Sequence, residues 1–170
     1  MNELELIKRV QNKDVNAFRE LVHLYQQKVY TTSLYILGNP EDAQEATQDT
    51  FLKVYKYITN FKFNSKFSTW LYTISRNSCL DKVKKNPYVA LEEHTLKKLK
   101  TEQDKPSEML DFVSLLPENY KEMIILYFYT GFSYQEIADI LNMSLSNVKT
   151  SMFRAKKMLR EKIEKKQAAV

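Results

Sequence analysis

Side chains able to make or break bonds are few in this sequence, and they are poorly spaced for catalysis. Its two histidines, His23 and His94, stand far apart, and His23 follows Val22 on a helical pattern where a boundary residue is expected. Asp42 with Glu45, and Glu92 with Glu93, bring carboxyls close in sequence. Neither pair has a nucleophile or base in register for general acid–base work. Glycine-rich phosphate loops and His/Cys/Asp/Glu clusters at metal-ligand spacing are both absent. Cys79 is the single cysteine, so no internal disulfide can form, and its apolar-periodic surroundings predict a small packing residue. The sequence predicts no catalysis, no metal and no cofactor, but a protein that acts by binding.

The chemistry available for binding is charge, and it is segregated. Net charge is +5 and the isoelectric point about 9.1, a bias toward anionic partners. Residues 41–49 carry Glu41, Asp42, Glu45 and Asp49 with no basic residue. From 53 to 85 the balance reverses: Lys53, Lys56, Lys62, Lys66, Arg76, Lys82, Lys84 and Lys85 face only Asp81. A second basic run, 149–166, sets Lys149, Arg154, Lys156, Lys157, Arg160, Lys162, Lys165 and Lys166 against Glu161 and Glu164. One acidic and two basic surfaces imply separate partners for separate faces.

These charges must be positioned by helices. Hydrophobic residues make up 44% of the 170, enough for a core, while two glycines and four prolines are too few for the turns of a sandwich or barrel. The expected fold is all-α: two small helical units, 1–86 and 107–170, joined by a charged, core-poor linker over 87–106 with one short helix near Leu91 to Leu99. In the first unit, Asp14 caps a helix with Ala17, Phe18, Leu21, Val22, Tyr25 and Val29 at helical spacing, ended by Gly38. Asn39 then caps a second helix, with Pro40 at its first position. Its buried stripe is Ala43, Ala46 or Thr47, Phe51, Val54 and Ile58, leaving Asp42, Glu45, Gln48, Asp49 and Leu52 mostly outside. Ser68 opens a third helix with Trp70, Leu71 and Ile74 on its apolar side, and "TNFKFNSKF" before it is a loop. No long apolar segment marks a signal peptide, and "MIILYFYTGF" is too short to cross a bilayer, so a soluble cytoplasmic protein is expected.

The stretch "GFSYQEIADILNMSLSNVKTSMFRAKK" carries the sharpest signal. Gly131 suits a left-handed helix end after Tyr120, Met123, Ile124 and Tyr127. "SYQE" is a capping box, with Ile137, Ala138 and Leu141 inward. Asn142 can take the left-handed turn, and Ser144 caps a last helix with Val148, Met152, Ala155 and Leu159 inward. That stripe turns Ser146, Thr150, Phe153 and Lys157 outward, with Asn147 and Arg154 on one shoulder and Lys149 and Lys156 on the other. This is the layout of a DNA-recognition helix: polar residues for base edges, flanked by cations for phosphates.

Two blocks also resemble a known family. "LLPENYKEMIILYFYTGFSYQEIADILNMSLSNVKTSMFRAKKML" resembles region 4 of the extracytoplasmic-function sigma factors of bacterial RNA polymerase, and "NPEDAQEATQDTFLKVYKYITNFKFNSKFSTWLYTISRNSCLDKVKK" resembles their region 2. The resemblance implies a transcription initiation factor without enzymatic activity that directs core polymerase to −10 and −35 promoter elements. It implies that Asp42, Glu45, Gln48, Asp49 and Leu52 dock on the clamp of the polymerase's largest subunit. Phe61, Lys62, Phe63, Asn64, Ser65, Lys66, Arg76, Asn77, Lys82, Lys84 and Lys85 would engage the −10 element. Within that set, Phe61, Phe63, Asn64 and Ser65 suit a pocket for an extruded base. Phe61 and Phe67 suit the core equally, and Trp70 matches a family core position. Ser146, Asn147, Lys149, Thr150, Phe153 and Arg154 would read the −35 element, with Lys156 and Lys157 toward phosphate. Ser151 stands where many relatives have arginine, which removes a contact and leaves the preferred promoter open. The linker would lie along the polymerase cleft, and an anti-sigma factor, commonly membrane-anchored in relatives, would be a further partner. The competing reading, a dimeric helix-turn-helix activator, needs a dimerisation surface; the N-terminal half shows no heptad seam for one.

Overall fold

The computed structural model of the chain describes residues 2–85, 113 and 115–168. The expected linker, 87–106, and its short helix lie outside the described residues, as does His94. The chain packs as two compact units, Met1–Leu91 and Glu92–Val170. Among the described residues every regular element is a helix, as the scarcity of glycine and proline predicts.

The first unit holds α1 (Glu3–Gln11), α2 (Val15–Leu37), α3 (Pro40–Tyr57), a 3-10 turn (Ile58–Asn60) and α4 (Phe67–Lys85). Helix α1 was not anticipated, although Asn2 before an acidic turn and Leu6, Ile7 and Val10 at helical spacing are a legible signal. Asp14 caps α2 by accepting the Asn16 and Ala17 amides at 2.9 and 3.0 Å, and Gly38 ends it at φ 73°. Asn39 caps α3 by accepting the Glu41 and Asp42 amides, with Pro40 in the first turn. All three signals read from sequence hold, since each depends only on local backbone geometry.

Helices α2, α3 and α4 pack on one another around Leu21, Val29, Leu37, Ala43, Ala46, Phe51, Val54, Leu71 and Cys79, all buried, with α1 laid against α2. Cys79 is a packing residue between Leu37 and Ala46, as expected. The core is more polar than the periodicity implied. Thr32, Ser33, Thr50, Thr69, Ser75 and Ser78 are buried. The Ser33 and Ser75 hydroxyls meet at 3.4 Å across α2 and α4, where small side chains let two helices approach. On α4 this corrects the expected apolar side. Leu71 is buried, but the other apolar side chains buried on this helix are Phe67, Tyr72 and Cys79, while Trp70 and Ile74 are only half-buried, and the helix begins at Phe67 rather than Ser68.

The second unit holds α5 (Glu118–Phe128), α6 (Tyr134–Leu141) and α7 (Leu145–Ala168), each packed on the other two. Its core is Met123, Ile124, Ile125 and Leu126 from α5, Ile137, Ala138 and Ile140 from α6, and Val148, Met152, Ala155 and Leu159 from α7. Ile140 takes the place expected of Leu141, which is half-buried. Each large side chain so buried contributes about 1.5–3 kcal/mol of transfer free energy, so the unit depends on that interlocked stripe.

Candidate nucleic-acid interfaces and an acidic face

The turn between α6 and α7 is built as its residues require. Ser133 and Glu136 form a reciprocal capping box, with the Ser133 amide donating to Glu136 Oε2 at 2.8 Å and the Glu136 amide to Ser133 Oγ at 3.3 Å. Asn142 is left-handed at φ 53°, and the Met143 amide donates back to the Ala138 carbonyl at 2.9 Å, closing a Schellman end. Ser144 Oγ then accepts the Asn147 amide at 3.2 Å and starts α7.

With Val148, Met152, Ala155 and Leu159 buried, α7 presents Ser146, Asn147, Lys149, Thr150, Phe153, Arg154 and Lys157 to solvent. Phe153, a large aromatic, is 71% exposed. Lys156, expected toward phosphate, has partners within the free chain. Its Nζ donates to the Tyr134 hydroxyl at 2.9 Å and lies 4.5 Å from the ring centroid of Tyr127, with Tyr134 and Phe128 at 5.5 and 5.7 Å. An ammonium ion held by three rings and a hydroxyl fastens α7 to α5 and α6.

In the first unit, α3 turns Glu45, Gln48 and Leu52 fully outward, with Asp42 and Asp49 half-buried beside them. Leu52 is 69% exposed, an apolar residue stranded on an acidic strip. Lys82, expected toward the backbone of the −10 element, has its Nζ 2.8 Å from Glu45 and 3.8 Å from Asp42, with its side chain only 18% exposed, so in the free chain it faces the acidic strip. Lys53 reaches the other way, donating to Ser78 Oγ at 2.9 Å and lying 3.9 Å from Asp81 on α4.

The loop 61–66 presents Lys62, Phe63, Asn64, Ser65 and Lys66 to solvent, with Lys84, Lys85 and Asn77 exposed on α4 and Arg76 half-buried. Phe61 and Phe63, expected alike in a base pocket, separate. Phe61 is 5% exposed and packs among Phe63, Phe67 and Trp70, with ring centroids 4.8, 5.7 and 5.3 Å away. Phe67 is buried too. Phe63 is 39% exposed and stands on a left-handed backbone at φ 59°. The open aromatic of the loop is therefore Phe63, and Phe61 is the floor beneath it. No group of three or more potential ligands suited to a metal occurs among the described residues.

Residues 21–87 match the family model for Sigma-70 region 2, and residues 107–159 match that for Sigma-70, region 4. The chain is 30% identical to the ECF RNA polymerase sigma factor SigW of Bacillus subtilis (strain 168), over 92% of its own length and 94% of that protein's. It is also 30% identical to the ECF RNA polymerase sigma-E factor of Haemophilus influenzae, over 96% of each. The chain belongs to the extracytoplasmic-function sigma factors of bacterial RNA polymerase. Its fold resembles that of CnrH, solved with the cytosolic domain of CnrY, at a TM-score of 0.73 and 19% identity over 94% of this chain and 95% of that one. The sigma factor RpoE, solved with the anti-sigma factor NepR from Bartonella quintana, aligns at 0.67 and 22% identity over 86% and 96%. As an ECF sigma factor the chain is a transcription initiation factor that binds core RNA polymerase and directs it to promoter DNA. The region 2 match takes in most of α2 with α3 and α4, and the region 4 match takes in α5, α6 and the first part of α7. No helix among the described residues is long and apolar enough to cross a membrane.

Proposed function

We propose that the sigma factor divides its work among three surfaces and carries out no bond-making chemistry, acting in the cytoplasm on polymerase and DNA. The strip Asp42, Glu45, Gln48, Asp49 and Leu52 docks on the clamp of the largest polymerase subunit, with Leu52 as the apolar anchor in an acidic surround. Loop 61–66, with Arg76, Asn77, Lys84 and Lys85, engages the −10 element, where Phe63 stacks on an unpaired base and the lysines hold the exposed backbone. Helix α7 reads the −35 element through Ser146, Asn147, Lys149, Thr150, Phe153 and Arg154, with Lys157 on phosphate. The domain limits are 1–86, 87–106 and 107–170. An anti-sigma factor, as NepR is for the structural neighbour RpoE, is the expected inhibitor.

The observation that carries this reading is the division of α7. Its inward stripe is fully buried, while every proposed base-reading residue is exposed behind a capped, left-handed turn. Run-off transcription with core polymerase and a promoter pool tests it. Substituting Gln48 and Asp49 should abolish association with core while leaving the helical spectrum intact. Arg154→Ala should weaken −35 contact, by about 1–3 kcal/mol for a lost base contact, and spare docking. Normal transcription by both variants would overturn the map.

A further inference from the structure

We propose that Gln11, on the N-terminal helix α1, is a positioning residue for promoter melting: it pins the entry of loop 61–66 so that Phe63 is held out, preset for an unpaired base. The inference rests on the reading of that loop given above.

Gln11 is half-buried, and its Nε2 donates to two carbonyls at once, Ile58 at 2.9 Å and Phe61 at 2.9 Å. Those carbonyls lie at the start and just past the end of the 3-10 turn by which α3 becomes the loop; the Ile58 carbonyl also accepts the Phe61 amide at 3.1 Å, so Gln11 adds a second bond there. Gln11 thus ties both ends of that turn together from a helix 47 and 50 positions earlier in the chain. The loop's other end is anchored by Phe67, buried at the start of α4. Between the anchors, Phe63 adopts a positive φ that an aromatic residue seldom takes. Such a conformation persists only where the surroundings over-determine it, and it points to function where it is found. Here the determinants are the Phe61 ring beneath it, the Gln11 bond to the Phe61 carbonyl, and the Ile58 carbonyl, which accepts from both Gln11 and the Phe61 amide. Helix α1 lies ahead of the segment matched as region 2, which begins at residue 21, so the brace is supplied from outside that segment.

Both Gln11→Leu and Gln11→Glu remove the donor, the second with almost no change of shape. In holoenzyme, each should reduce capture of a single-stranded −10 oligonucleotide about tenfold, the scale of two neutral hydrogen bonds. Core binding and binding to a −35-only duplex should remain within twofold. Trp70, the single tryptophan, lies 5.3 Å from the Phe61 ring and should report the loosened loop as changed emission at unchanged helicity. Wild-type strand capture by either folded variant overturns the proposal. So does a parallel fall in strand capture and core binding that tracks the melting temperature, which would make Gln11 a fold residue only. Phe63→Ala separates the two levels. If it too captures strand normally, the reading of the loop fails; if it is defective while both Gln11 variants are normal, only the brace fails.

Discussion

Lys82 Nζ lies 2.8 Å from Glu45 Oε2, joining the last turns of α4 to the exposed strip of α3. One lysine and one glutamate, assigned by sequence to DNA and to polymerase respectively, are each other's partner in the free protein. A partly exposed pair of this kind contributes about 0.2–1 kcal/mol, so its weight lies in which charges remain free for partners. Lys82→Met should leave the salt dependence of holoenzyme–promoter affinity unchanged, because that cation already faces two carboxylates. Lys84→Met, by contrast, should lower the slope by about one. Filter-binding across a salt series checks both, and an equal fall in the two variants would return Lys82 to the DNA surface.

Lys156 is expected to behave as a structural cation. Lys156→Met should lower the stability of the second unit by about 1–2 kcal/mol, from the lost ring contacts and the bond to Tyr134. The promoter salt slope should stay constant. Lys157→Met should do the reverse, lowering the slope at unchanged stability. Thermal melts and salt titrations on the same preparations distinguish them.

The turns before α6 and α7 can each be tested at a left-handed residue, Gly131 and Asn142 respectively. Asn142→Ala should cost about 1 kcal/mol and Asn142→Gly nothing, because only the backbone conformation is at issue. At Gly131, with φ 76°, a new Cβ would meet nothing within 4 Å. Gly131→Ala should therefore cost only the left-handed strain, about 1–2 kcal/mol. Denaturant midpoints decide it, and a larger loss would reveal a packing role.

Asp14 predicts a pH signature. Hydrogen bonding from the Ala17 amide first, then from Arg9, holds its carboxyl below the ordinary value of 3.8. A lowered folded pKa means stabilisation that is fully present above 3.8 and lost as pH falls through the folded value. Asp14→Asn keeps a cap without the charge. The wild type should exceed it in melting temperature at neutral pH, and the two should converge in strong acid. A constant gap across that range would refute the linkage.

Residue order alone was enough for whatever depends on local backbone chemistry. Caps at Asp14, Asn39, Ser133 and Ser144, the left-handed turns at Gly38, Gly131 and Asn142, and the inward stripe of α7 were all legible, because each needs only a side chain and its neighbours a turn away. The exposure of the acidic strip and of the outward face of α7 followed from the same periodicity. Which of the cations are engaged within the chain follows from how the helices pack. Lys82 and Lys156 look like Lys84 and Lys157 in a sequence, and what separates them is an acid or an aromatic box delivered by another helix. Packing likewise decided that Phe61 is floor and Phe63 is face, that Tyr72 rather than Trp70 fills the core, and that Gln11 reaches Ile58 and Phe61. Those outcomes come from pairings across tens of residues, where a long side chain selects among partners that only packing brings within reach.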